Sequence, residues 1–294
     1  MAKSRYTGLV CLIVTGFMIL FTVLFMNSEA LGVAALETDE SANRNRSFSE
    51  RDLDSSWDEN TAVYISLDDY EGLALAGAYE LNGDLYIISK GTYVLSGTLE
   101  GNSIIVDASD AKVQIVLDGV TITNEDSAGI WVKDADKVFL TLAEDTVNTV
   151  TLSGELSEEQ QKEEVSAAIF SKDDLSINGS GTLIVSSQLY NGIRSTDDLV
   201  ITGGTLIINA GKNGIVGKDS LRICGGDFNI TAGNDGLKSS NEQDSDKGYL
   251  LITDGIFCIN AGDETMQAET DLIVTGGTIR TADDDSAVAY AQGS

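Results

Sequence analysis

Along most of the chain, apolar and polar positions alternate in short bursts, broken by polar turns and glycine corners. The stretch from Gly192 to Ala210 sets the pattern: Gly-Ile-Arg-Ser, then Leu-Val-Ile-Thr, a Gly203-Gly204 corner, then Thr-Leu-Ile-Ile-Asn-Ala. The next repeats read Leu-Arg-Ile-Cys with Asp-Phe-Asn-Ile-Thr-Ala, then Leu-Leu-Ile-Thr with Ile-Phe-Cys-Ile-Asn-Ala. The apolar residue after each polar turn falls at Ile193, Ile215, Leu237, Met266 and Val288, in steps of 22, 22, 29 and 22 residues. The longer step is one repeat plus a seven-residue insertion. Period-two alternation predicts strands. It turns Leu199/Ile201, Leu221/Ile223, Leu250/Ile252 and Leu272/Ile273-Val274 to a core, and Arg222, Asn229 and Arg280 outward. Such short strands lack the corners that antiparallel hairpins need, so repeat must stack on repeat, with parallel strands about 4.8 Å apart. The expected fold is all-β: a right-handed parallel β-helix, a solenoid of ~22-residue coils.

Earlier sequence fits the same scheme less tightly, in runs beginning at Ser103, Val113, Ala128 and Ala168. Asp84 to Leu95 reads as the first coil and its cap, and the charged, helix-prone stretch from Glu155 to Val165 as an exposed loop or short helix outside the core. The N-terminus differs in kind. Lys3 and Arg5 precede an uncharged apolar run of 19 residues from Gly8 to Met26. A signal peptide's apolar region has about 7–15 residues and a membrane span about 20. Residues 1–35 are therefore expected to be an export signal or transmembrane anchor with a cytoplasmic N-terminus, Val33-Ala34-Ala35 offering a cleavage site. Residues 36–62 read as a polar linker, and 63–294 as the β-helix domain. The location implied is extracellular or cell-surface, bound to the membrane through the first segment if that segment stays uncleaved.

Composition then prunes the functions. With 18 basic against 47 acidic residues the chain carries a formal charge of −29, which excludes nucleic acid, whose phosphates need cationic neutralisation. The absence of histidine removes imidazole bases, His-based triads and HExxH zinc sites. The absence of proline suits uninterrupted backbone pairing. Cys224 and Cys258 fall at different points of their repeats and are expected as free thiols. A monomer is expected.

The segments Asn213-Gly-Ile-Val-Gly-Lys-Asp-Ser-Leu-Arg-Ile-Cys-Gly-Gly226 and Asn234-Asp-Gly-Leu-Lys-Ser-Ser-Asn-Glu-Gln-Asp-Ser-Asp-Lys-Gly-Tyr249 carry a family resemblance. The chain resembles, over residues 62–290, the bacterial carbohydrate-binding domain proteins of clostridial type, exported β-helix proteins similar in architecture to calcium-dependent pectate lyases. That resemblance implies cell-wall polysaccharide binding with Ca²⁺. Where the family repeats Asp-Gly-Ile, this chain has Glu264-Thr265-Met266 and Asp285-Ser286-Ala287. It also stops soon after Tyr290, within what reads as a starting coil, as a member truncated at its C-terminus would.

Two columns carry the candidate chemistry. Aligning the turns brings Asn191, Asn213, Asp235, Glu264 and Asp285 to one position, with Lys212, Asn234, Asp263 and Asp284 just before it. Carboxylates one coil apart repel by roughly 3–4 kcal/mol at an effective dielectric of 20. A Ca²⁺ ion, which takes mixed carboxylate and carbonyl oxygens, reverses the sign of that repulsion. Asp235, Asp263, Glu264 and Asp285 are the first expected ligands, and Asp284, Asp244 and Asp246 the second group. The same turns also read as a solvated edge with no ion. The second column follows each core residue: Trp131, Phe170, Arg194, Val216, Lys238 and Gln267, flanked by Tyr190 and Tyr249. Aromatic faces beside cationic and amide groups suit a sugar polymer, unless Trp131 and Phe170 pack beneath the 155–165 insertion.

The function expected is non-catalytic binding of a plant cell-wall polysaccharide, cellulose or pectin/polygalacturonate, with calcium support. Two alternatives stand beside it: a calcium-dependent polysaccharide (pectate) lyase with Lys238 as base, and an adhesin or spacer with no sugar site.

Overall fold

The computed structural model describes residues 46–281 and the backbone of 284–289. The chain divides into two compact units, Met1–Ser47 and Phe48–Ser294, and the second contains nearly all of the described residues. Among the described residues no helix is long and apolar enough to cross a membrane. The apolar run from Gly8 to Met26 lies outside the described residues.

The stacking of repeats is real. In a nine-stranded sheet, strands Ile130–Asp134, Ala167–Ser171, Asn191–Ser195, Ile215–Gly217, Leu237–Ser239 and Met266–Ala268 run parallel, side by side. Ile130, Ile169, Ile193, Ile215, Leu237 and Met266 stand in register across them. The insertion before Met266 therefore leaves the register untouched. Inside, the same register builds ladders of like residues: Leu175, Leu199, Leu221 and Leu250 in one, and Leu183, Leu206, Phe228 and Phe257 in another. The rings of Phe228 and Phe257 stack at 4.6 Å with 7° between planes. Burying each such side chain contributes roughly 1.5–3 kcal/mol.

The expected fold class needs correction. The β-helix was expected as an open solenoid of separate sheets, but the larger, fourteen-stranded sheet closes on itself. Ser220–Ala232 pairs with Asp198–Ile201 through its first half and with Thr205–Ala210 through its second. Lys112–Asn124 likewise pairs with Lys137–Leu142 and then with Val147–Leu152. Asp174–Gly179 and Thr182–Ser187 complete a ring of eight strands, each parallel to its neighbours. By its pairing this is a closed parallel barrel. The cause is at the corners: Gly119 (φ +78°) and Gly226 (φ +108°) turn the strand without ending it, so one strand carries ladders to two neighbours. Val288 is a second correction. Its strand, Asp284–Ala289, turns back antiparallel on Thr278–Thr281, so it does not extend the column of Met266.

Part of the expected polar linker is docked. Ser49 and Asp52 form a reciprocal capping box on the short helix Glu50–Leu53. Asp52 is buried and pairs with Lys137 at 2.8 Å. Outward side chains of the closed sheet grip the backbone of this segment: Asn178 donates to the carbonyls of Asp52 and Asp54, and Thr202 to that of Asp52 at 2.8 Å. Arg51 lies 4.8 Å over the ring of Phe139, and Trp57 packs on Val94, Val116 and Ala143. Composition marks these residues as polar and mixed, but the sheet supplies their partners.

Burial alone pushes the Asp52 carboxyl up, yet hydrogen bonds from Lys137 and Ser49 outweigh it and hold the group below its ordinary range. A depressed carboxylate stabilises the docked state above its unfolded pKa of about 3.9, and that contribution is lost as pH falls through the folded value. Asp52→Ala leaves Lys137 buried without its partner, a loss of about 3–5 kcal/mol for a fully buried pair. Trypsin cleavage after Arg51 in the variant should therefore run several-fold faster than in the parent at neutral pH; equal rates would mean that the pair does not hold the segment.

Candidate functional site

The outer face of the nine-stranded sheet is one continuous column. Strand pairing sets Tyr79, Tyr86, Ile105, Trp131, Phe170, Arg194, Val216, Lys238 and Gln267 next to one another in that order. The sequence reading found the second half and missed the first. Tyr79 and Tyr86, stacked at 5.2 Å, belong to an antiparallel hairpin of Ala78–Leu81 with Asp84–Ile87, whose pairing no repeat spacing announces. The alternation of buried Leu85 and Ile87 around Tyr86 was the available signal.

Trp131 and Phe170 are buried, at 4% and 1% exposure, so the packed reading of these rings is the one the structure takes. The 155–165 insertion forms the short helix expected, Glu158–Lys162, with Glu155, Glu158, Glu159, Gln161, Lys162 and Glu164 exposed. It is anchored by buried Leu156, Gln160 and Val165, and Gln160 Oε1 accepts from the Ala128 amide at 3.4 Å. Tyr190 Oη accepts from the Leu156 amide at 3.2 Å, and Lys172 pairs with Glu163 at 2.6 Å. Tyr249 is buried at the start of strand Tyr249–Ala261, paired with Ser220 of the closed sheet, and lies off this face.

Beyond the aromatic half the column is polar. Arg194 forms no ion pair with any described residue, and its Nε is buried without a hydrogen-bond partner, as are Trp131 Nε1 and Gln267 Oε1. Burial lowers the Arg194 pKa, opposed in part by the charge of Glu164, while a guanidinium remains a cation at any physiological pH. Lys212 stands 5.4 Å over the ring of Tyr190. Seven of the 18 basic residues, Lys133, Lys172, Arg194, Lys212, Lys218, Lys238 and Lys247, lie on this sheet or in its bounding turns. Four of them are paired with carboxylates: Lys133 with Asp107, Lys172 with Glu163, Lys238 with Asp235 and Lys247 with Asp219.

The turn column aligns as expected, and its side chains run along the column into hydrogen bonds with the next turn. Asn191 Oδ1 accepts from the Asn213 amide at 3.1 Å, Asn213 Oδ1 from the Asp235 amide at 3.1 Å, and Asp235 Oδ1 from the Glu264 amide at 3.2 Å. Asp235 is buried, and its second oxygen takes Lys238 Nζ at 2.8 Å. Both oxygens are engaged. Asp263 and Glu264 remain exposed at the edge, while Asp284 and Asp285 sit in the returning strand, their side chains outside the described residues. Among the described residues no three carboxylates gather into a metal-holding group.

The seven-residue insertion goes to the other edge. Strand Leu237–Ser239 separates it from Asp235, and Asn241 and Lys247 clasp the buried carboxylate of Asp219 instead. Asp244 and Asp246 are exposed there; Asn241 Oδ1 accepts from the Asp244 amide and Asp244 Oδ1 from the Asp246 amide. Asp219 in turn shares a hydrogen bond with Asp197, whose carboxyl is pushed up to about 7 by burial, by that bond, and by the charges of Asp174, Asp219 and Asp198. For Asp219, burial is outweighed by Asp197, Lys247 and Asn241, which hold it below the ordinary range.

In-register strands presenting one long ordered face, aromatic at one end and polar at the other, define an all-β protein of stacked repeats. A family model described as carbohydrate-binding domain-containing protein matches residues 82–293, and the chain belongs to that family. A carbohydrate-binding domain-containing protein of Acetivibrio thermocellus is 39% identical over 218 residues, 74% of each chain. A solved polysaccharide lyase-like protein from C. thermocellum, a gadolinium derivative, superposes with a TM-score of 0.67 at 33% identity, over 73% of this chain and 96% of that one.

A carboxyl raised in the folded state contributes stability that is complete below its unfolded pKa of about 3.9 and lost as pH rises through its folded value. For Asp197 the loss runs from there and is complete once pH passes about 7. The contribution of this group to the melting temperature of the parent should therefore fall between pH about 4 and about 7 and level off above that. Asp197→Asn should flatten the profile there; an unchanged slope would show that Asp197 and Asp219 do not share a proton.

Proposed function

We propose that this chain is an exported, non-catalytic polysaccharide-binding protein of plant cell-wall glycans, whose nine-stranded sheet holds an extended acidic polymer of the pectin/polygalacturonate kind. Arg194 is the observation that carries the reading. A guanidinium desolvated on an open sheet face and left without a carboxylate partner is poised for a bidentate carboxylate. Lys212 lies on the neighbouring turn, Lys238 stands two strands along beyond Val216, and Tyr190 offers a ring to a sugar face. Rungs about 4.8 Å apart offer regularly spaced groups to a regularly spaced polymer.

Calcium enters this reading as a bridge. Exposed Asp263 and Glu264 supply only part of the 6–8 oxygens Ca²⁺ takes, so uronate carboxylates and water complete the shell. A solved structural neighbour is a gadolinium derivative, and gadolinium is likewise a hard cation that takes oxygen ligands. Binding is favoured over a lyase because the ammonium of Lys238, the base such a reaction would need, donates to buried Asp235. Export rests on the apolar run behind Lys3 and Arg5.

Full-length protein should be retained on insoluble polygalacturonate, less so with a chelator, and without releasing unsaturated product. Arg194→Ala should weaken retention about ten- to a hundred-fold, the range for a charge-assisted hydrogen bond of about 1.5–3 kcal/mol. Equal retention of parent and variant would defeat the assignment of this face.

A further inference from the structure

The insertion between strands Val147–Leu152 and Ala167–Ser171 ends in a way its own helix does not favour. Helix Glu158–Lys162 stops in a complete Schellman motif: the Val165 amide donates to the Gln160 carbonyl at 3.0 Å, and the Glu164 amide to that of Gln161 at 3.1 Å. The residue that turns the chain at such an end takes the left-handed conformation and is usually glycine; here it is Glu164, at φ +59°. Carboxylates at a helix C-terminus also oppose its dipole, and Glu163 and Glu164 put two there. Local preference argues against both glutamates, so what retains them lies outside the helix. It is on the nine-stranded sheet. Lys172 Nζ donates to Glu163 at 2.6 Å. Lys133 and Lys172 each stand two residues beyond a ring of the column, Trp131 and Phe170, and the Lys172 amide donates to the Val132 carbonyl, so the two lysines follow on adjacent rungs. Arg194 is on the rung after that, beside Phe170. We propose that Glu163 and Glu164 stand in for the carboxylates of the acidic polymer, an autoinhibitory contact that the polymer's own carboxylates displace. This regulation rests on the polysaccharide reading of the same face.

The contact has the chemistry of the ligand. A glutamate and a uronate offer the same group to the same cations, so one carboxylate exchanges for another without leaving Lys172 unpaired. The exchange needs only side-chain rotation. Lys172 and Glu163 are 34% and 39% exposed and Glu164 is exposed, while buried Leu156 and Val165 keep the helix in place. The hydrogen bond and charge of Lys172 hold the Glu163 carboxyl below its ordinary range, with the charge of Lys133 adding to this, and the charge of Glu164 acts on Arg194. An exposed ion pair is worth little on its own, so a single competing carboxylate gains almost nothing by displacing it. A polymer that brings several carboxylates gains at each, since the first to bind raises the effective concentration of the rest. The two glutamates therefore set a threshold of charge density. A chain of free uronates passes it, and one whose carboxylates are esterified does not.

Full-length protein is titrated onto insoluble polygalacturonate at fixed salt and calcium, with fully methyl-esterified polymer in parallel. Glu163→Gln/Glu164→Gln should bind the unesterified polymer about three- to tenfold more tightly than the parent, the range that two exposed ion-pair contacts allow. Glu158→Gln/Glu159→Gln makes the same charge change earlier in the same helix and should stay within about twofold of the parent. Lys172→Gln removes the cation, and in that background Glu163→Gln should give no gain. Esterified polymer should be held weakly by every form. An equal gain in the two glutamine pairs, or a gain from Glu163→Gln that survives Lys172→Gln, means a general field and overturns the stand-in. Esterified polymer held by the parent as tightly as the free acid overturns the threshold. Equal binding by the parent and Glu163→Gln/Glu164→Gln overturns the proposal while leaving the polysaccharide reading intact. Retention of no form on either polymer sinks the reading of the face itself, and this regulation with it.

Discussion

Parallel hydrogen bonding between residues one repeat apart is the constraint on which everything else here depends. Once Ile193 is locked beside Ile215 and Ile215 beside Leu237, every side chain is fixed next to its equivalent in the following repeat. Like then stacks on like. Leucines form an internal ladder, two phenylalanine rings stack flat, and the Asn191–Asn213–Asp235 turns pass one hydrogen bond each to the next backbone amide. These are the places where a one-residue slip would bury polar groups and expose the core together.

The same stacking turns charge into a problem of position. Acidic residues repeated at one turn repel down the column, and the chain answers differently at its two edges. At one edge Asp235 is buried and neutralised by Lys238. At the other, Asp197 and Asp219 share a hydrogen bond and an insertion brings in Asn241 and Lys247. That insertion is better understood as a clamp on a buried carboxylate than as a cation loop. With acids handled at the edges, the broad faces differ: one carries the aromatic column, the other is nearly uncharged.

Two polar-looking segments turn out to be docked. Residues 48–57 lie against the closed sheet through Asp52 and their own carbonyls, and residues 155–165 are anchored by buried Leu156, Gln160 and Val165. The first also covers Phe139, Val94 and Val116, outward groups that no neighbouring rung could cover.

The repeat, the inward residues Leu199, Ile201, Leu221, Ile223, Leu250 and Ile252, the register kept at Met266 and the family were legible in the sequence, because period-two alternation and a 22-residue step are local properties that survive without coordinates. Leu272, expected in the core, is instead exposed, and Arg222, expected outward, is buried. The column from Trp131 to Gln267 was legible for the same reason. Closure of the larger sheet was not: it depends on Gly119 and Gly226 bending strands without ending them, and a glycine corner reads the same whether the ladder stops or continues. Nor could spacing show that Asp235 is buried and paired with Lys238, that Tyr249 is buried, or that the last strand, with Val288, runs back antiparallel. Sequence determined which residues share a rung. Only the tertiary structure decided which way they point and what lies over them, since burial is set by segments distant in the chain.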